Sequence, residues 1–102
     1  MSYVSNRRPN SDRRTGQLTD SERHELLANE RRRNVLAVLD CETTPVTLET
    51  VAGQVAGHET APAMPDVDTV RSVRISLHHV HLPKMTSLGV VEYDRATRRI
   101  ES

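Results

Sequence analysis

The sequence predicts a mainly α fold closed by a small β-hairpin, and three observations carry that prediction. Apolar residues recur at spacings of three and four in three successive stretches: Val35, Leu36, Val38 and Leu39; Leu48, Val51, Ala52 and Val55; Val70, Val73, Leu77 and Val80. That period is the mark of amphipathic helices. After Gly89 the pattern switches to a short alternating run from Val90 to Tyr93 with a return segment at 98–101, which reads as a hairpin. The helix just before it carries Arg, Ser and His on its polar side. This order is that of a winged helix-turn-helix, with a recognition helix over about 69–82 and a β-wing over about 90–101.

A chain of 102 residues suits one domain. Its 14 Lys and Arg balance 14 Asp and Glu, but unevenly: residues 1–17 hold Arg7, Arg8, Arg13 and Arg14 against Asp12, a net of +3, which leaves −3 for the remainder. A negative body restricts any nucleic-acid footprint to a local patch, because phosphate contacts supply most non-specific affinity. Residues 1–18 offer almost nothing apolar to bury and are expected to be a disordered basic tail, either a phosphate-tracking arm or a solvated leader. Residues 19–102 then form the folded domain. With Tyr3 and Tyr93 its only aromatics, the chain must build its interior from Leu, Val, Ala and Met. Such a thin core, together with Leu26 and Leu27 on the first helix, suggests shared apolar surface and a homodimer. A single cysteine, Cys41, excludes an internal disulfide. No apolar run is long enough for a membrane span and the N-terminus has no apolar signal core, so a soluble, cytoplasmic protein is expected.

In chain order, Thr19 and Glu22 stand at capping-box spacing and start the first helix. Asn29 either breaks that run or caps a second helix over 30–40. Arg31, Arg32 and Arg33 diverge by about 100° each on a helix and cannot form one patch. One is expected to neutralise a carboxylate, one to lie on the surface, and at most one to reach a phosphate. Residues 41–44 read as a turn, Pro45 to Thr47 as a short extended segment, and Thr47 as the cap of a third helix that Gly57 ends. The connection at 58–68 holds Pro62, Pro65, Asp66 and Asp68, is longer than a usual helix-turn-helix turn, and is acidic. Asp68 is expected to cap the recognition helix. That helix places Val70, Val73, Leu77 and Val80 inward, with Ser72, Ile75, Ser76 and His79 outward. Arg71 and His78 fall at the border, and Arg74 nearer the buried side. Pro83 either kinks the element or restarts a helix. The hairpin turns around 94–97, with Arg95, Arg98 and Arg99 near its tip.

The candidate DNA-binding residues are therefore Arg71, Ser72, Arg74, Ser76, His78 and His79 on the helix and Arg95, Arg98 and Arg99 on the wing. Of the histidines, only His78 and His81 share a face, and nothing nearby completes a ligand set, so no metal is expected. His81 reads as a buried, hydrogen-bonded histidine. No phosphate loop, nucleophile elbow or tuned carboxylate pair is present, so neither catalysis nor a cofactor is expected.

The segments LLANERRRNVL at 26–36, PVTLE at 45–49, VRISLHHVHLPKM at 73–85 and LGVVEYD at 88–94 resemble a haloarchaeal family of short winged-helix domains of unknown function, related to the ArsR-like group. The likeness covers about residues 20–95, and HVHLPK at 79–84 is its most distinctive part. The resemblance implies an archaeal, halophilic source and a DNA-binding regulator. The chain lacks the paired Cys ligands of ArsR-like metal sensors, so metal sensing does not carry over. The expected function is transcriptional regulation by binding double-stranded DNA. The alternative is a protein-interaction adaptor that uses the same fold and its acidic loop.

Overall fold

A computed structural model describes residues 18–102. The tail expected at 1–18 lies outside the described residues but for Leu18. The element order is α1 (Asp20–Leu27), α2 (Glu30–Cys41), β1 (Val46–Thr47), α3 (Leu48–Thr60), α4 (Val67–Ser76), a π turn (Leu77–His81), α5 (Leu82–Ser87), β2 (Glu92–Asp94) and β3 (Arg99–Glu101). The described chain is mainly helical, with one antiparallel sheet of strand order β1-β3-β2.

The helix starts follow the capping residues. Thr19 Oγ1 accepts the Glu22 N–H at 3.0 Å, and Glu22 Oε1 accepts the Thr19 N–H at 3.0 Å, a complete capping box. Thr19→Ala should cost about 1 kcal/mol in urea unfolding. Asn29 opens a new helix, its Oδ1 accepting from the Arg31 N–H at 2.9 Å and the Arg32 N–H at 3.2 Å. Thr47 Oγ1 accepts the Thr50 N–H at 3.2 Å.

The three arginines divide as helix geometry requires. Arg31 meets Glu59 of α3 through two hydrogen bonds, of 2.6 and 2.7 Å. Arg32 donates to the Leu26 and Glu25 carbonyls, and Arg33 to that of Leu27. These carbonyls end α1, so two arginines cap its C-terminus and favour the negative end of its dipole. Arg31 neutralises a carboxylate and Arg33 lies exposed on the surface, as expected, but Arg32 and Arg33 also hold the end of α1.

Three boundaries differ from expectation. α3 passes through Gly57 to Thr60, its last turn anchored by the Glu59–Arg31 pair and by Thr60 Oγ1 donating to the Ala56 carbonyl at 2.9 Å. Asp66, not Asp68, caps α4, its Oδ1 accepting the Thr69 N–H at 2.7 Å, so the connection shrinks to residues 61–66. The third difference is the π turn. The Leu82 N–H bonds to the Leu77 carbonyl, five residues back, which adds one residue to the turn. Pro83, with no N–H to give, sits in the first turn of α5. The apolar stripe therefore moves on by a residue: Val73 and Leu77 are buried and are followed inward by His81 and Leu82, whereas Val80, expected in the core, is 55 % exposed.

α5 closes on Gly89, whose φ of +78° favours glycine. The Gly89 N–H reaches the Thr86 carbonyl at 2.9 Å and the Val90 N–H that of Met85 at 3.1 Å, a Schellman pair. In the hairpin Tyr93 faces Ile100 and Asp94 faces Arg99; across the sheet Val46 also faces Ile100. Asp94 Oδ1 accepts the Ala96 N–H at 2.9 Å and holds the tip.

One core unites the layers: Leu26 of α1, Val35 and Val38 of α2, Leu48, Val51 and Val55 of α3, Leu77 and Leu82 around the π turn, and Val90 and Ile100 of the hairpin region. Leu26 is fully buried within this one chain and Leu27 packs against the same core. Leu26 thus finds its burial within one chain, while Leu27 is only partly covered.

Candidate nucleic-acid interface

α4 and the π turn run from the Asp66 cap toward the hairpin, and their outward side gathers most of the residues singled out by sequence. Arg71, Ser72, Ile75 and His79 are exposed, while Ser76 is half-buried. At the junction with the hairpin, Arg74, Ile75, His78, His79 and Arg98 line one shallow depression, with Leu48 at its base. Helix and hairpin thus present a shared concave face.

Several of these side chains are already engaged. Arg74 pairs with Glu49 at 3.4 Å. Arg71 lines a neighbouring depression with Glu49, Asp66 and Arg74, so the start of α4 mixes both signs of charge. His78 Nδ1 lies 2.6 Å from Tyr93 Oη, and the two rings meet edge-on with centroids 5.6 Å apart. His78 is thereby a link between helix and hairpin. Arg99 is set apart from Arg95 and Arg98. Neighbouring strand residues face opposite sides, and since Ile100 is buried, Arg99 points to the outer face, in a depression with Glu92, Asp94 and Glu101.

Tyr93 is the residue that sequence reasoning passed over. Its parity with buried Val91 in the alternating strand was the available signal. Tyr93→Phe keeps the ring and removes the hydroxyl, and should cost about 1 kcal/mol in urea unfolding.

Burial, then Arg95, His79 and Arg98, hold the pKa of His78 below 6.5. Burial, then Arg32 and Arg31, do the same for His81. Both groups bind a proton more readily unfolded than folded. The stability tied to their neutral forms is therefore full above the unfolded value and is lost as pH falls through it toward the folded values. The melting temperature should drop between about pH 7 and about pH 5, ahead of the carboxylates; a flat profile there would contradict this.

His78 and His81 serve different surroundings: His78 meets Tyr93, whereas His81 is buried beside Arg31 and Glu59. The hydrogen-bonded state expected for His81 is not found at Nδ1, which has no partner among the described residues. Among those residues no group of three or more His, Cys, Asp or Glu could hold a metal ion, and no helix is long and apolar enough to cross a membrane.

The fold and this face define a small, mainly helical domain whose penultimate helical element is hydrogen-bonded to a terminal hairpin. The chain belongs to the family of the domain of unknown function DUF7344, which matches residues 24–101. That match bears out the resemblance to a family of unknown function and carries no source organism, winged-helix kinship or activity. No curated protein and no solved structure matches the chain.

Proposed function

We propose that the domain is a winged helix-turn-helix that binds double-stranded DNA, with α4 in the major groove and the β2–β3 hairpin as the wing. The observation that supports this most is the shared concave face, where Arg74, Ile75, His78, His79 and Arg98 converge from helix and hairpin. The arrangement of β1 between α2 and α3, paired to β3 of the hairpin, accords with that fold.

In this reading Arg71, Ser72 and His79 meet base edges, and Ile75, 48 % exposed on a polar face, packs on a thymine methyl. Arg95 and Arg98 hold phosphates. Arg74 reaches a phosphate only by leaving Glu49. His78 sets the hairpin against the helix through Tyr93. Arg99, on the outer face, takes no part.

The test is fluorescence anisotropy of the full chain with a labelled duplex across a salt series. Three phosphates neutralised by Arg71, Arg95 and Arg98 contribute about −2.7 to the slope of log affinity on log salt, at about −0.9 each, and the slope should be at least that steep. Absence of duplex binding at low salt would favour the adaptor reading. For that reading the exposed Met64 (89 %) and Val67 (78 %) beside Asp66 and Asp68 offer an alternative surface.

A further inference from the structure

His78 sits where helix and hairpin meet on the concave face. Its ring lines the depression shared with Arg74, Ile75, His79 and Arg98, and its Nδ1 lies 2.6 Å from Tyr93 Oη of β2. A phenolic hydroxyl can donate or accept, and imidazole has one donor and one acceptor when neutral but two donors when charged. The Tyr93 link therefore survives a change of proton on His78: the hydroxyl donates to a bare Nδ1 and accepts from a protonated one.

The groups around the ring are mostly basic. His79 meets it edge-on with ring centroids 4.8 Å apart, Arg74 stands one helical turn earlier, and the charges of Arg95 and Arg98 reach it from the hairpin. The carboxylates of the neighbouring elements are engaged elsewhere: Glu49 of α3 with Arg74, and Asp94 Oδ1 with the Ala96 and Thr97 N–H groups. Burial and these cations disfavour a proton on His78 in the free chain. A phosphate held by Arg95 and Arg98 reverses the local field, because it neutralises the guanidiniums and brings an anion next to the ring.

We propose that duplex binding at this face is coupled to uptake of a proton by His78, so that affinity for DNA rises as pH falls from about 8 to about 6. This coupling rests on the DNA-binding reading and adds regulation to the same site. If the bound phosphate tightens proton binding about tenfold, duplex affinity gains about fivefold over that range.

The test pairs two measurements on the full chain. One is the long-range 1H–15N imidazole spectrum of His78 between about pH 8 and about pH 5.5, with and without a short duplex. The other is anisotropy of a labelled duplex at constant ionic strength, for the parent and for His78→Gln. Glutamine keeps a partner for Tyr93 and does not titrate, and the amide spectrum checks the folding of the variant. The midpoint of His78 protonation should move up on duplex addition. The affinity gain from about pH 8 to about pH 6 should be about fivefold greater in the parent than in His78→Gln, which keeps whatever His79 contributes. Should the variant not fold, the parent's His78 midpoint decides alone. Duplex binding with an unmoved or lowered midpoint, or an equal gain in His78→Gln, would overturn the coupling and leave the DNA reading standing. No duplex binding at low salt at either pH would overturn both.

Discussion

Leu77→Ala is expected to lower the stability of the domain by about 3 kcal/mol, while Val80→Ala, three residues on, stays within about 0.5 kcal/mol of the parent. Leu77 is fully buried and its carbonyl accepts the hydrogen bond that closes the π turn. Removing its side chain leaves a cavity where α4, α3 and the hairpin region share one core. Val80 lies on the solvent side of the same turn. A domain this small holds about 5–15 kcal/mol in total, so the first loss should move the urea midpoint substantially and the second should hardly register. An uninterrupted α-helix would bury both residues. Equal losses at 77 and 80 would therefore contradict the π turn itself.

On the proposed DNA-binding reading, removing the hairpin charges is the second large effect. Arg98 has a φ of +59°, a region that asparagine tolerates better than alanine. The informative variant is thus Arg95→Ala with Arg98→Asn, which removes both charges with the least backbone strain. If each arginine gives one charged hydrogen bond of about 1.5 kcal/mol, duplex affinity should fall roughly a hundredfold at low salt. The slope of log affinity on log salt should become shallower by about 1.8, two phosphates at about 0.9 each. Comparing variants of the full chain cancels whatever Arg7, Arg8, Arg13 and Arg14 add. Arg99→Ala is the control and should leave the slope unchanged, because that side chain sits among carboxylates on the far face of the sheet.

The contrast between Arg98 and Arg99 shows where sequence reasoning reached its limit. Local signals were legible: Thr19, Asn29 and Thr47 cap the helices whose starts they mark, and the apolar stripes of α2 and α3 enter the core as their spacing indicates. Each of those readings needs only residues within one or two turns. The π turn is different. Pro83 announced a disturbance, but which residue of the preceding turn would be extra depends on packing against α3 and the hairpin. His81 and Leu82 therefore replaced Val80 in the core. Asp68 was the expected cap of α4, and Asp66, two residues earlier and the same residue type, takes that place instead. Gly57 looked like a helix end until Glu59 found Arg31 across 28 positions of sequence. Similarly, the carbonyls that engage Arg32 and Arg33, and the hydroxyl that meets His78, come from other elements and leave no local trace. The candidate face was thus legible as a list of exposed residues on one helix. Its division into free, paired and positioning side chains was not.

The most direct test of the proposed interface is an amide and side-chain 1H–15N chemical-shift map of the full chain as short duplex DNA is added. The largest changes are expected at Arg71, Ser72, Ile75, His79, Arg95 and Arg98, with smaller ones at His78 and Tyr93 and little at Arg99 or at Arg31 and Glu59. Changes confined to Met64 and Val67 or to α1, or none at all at low salt, would contradict it.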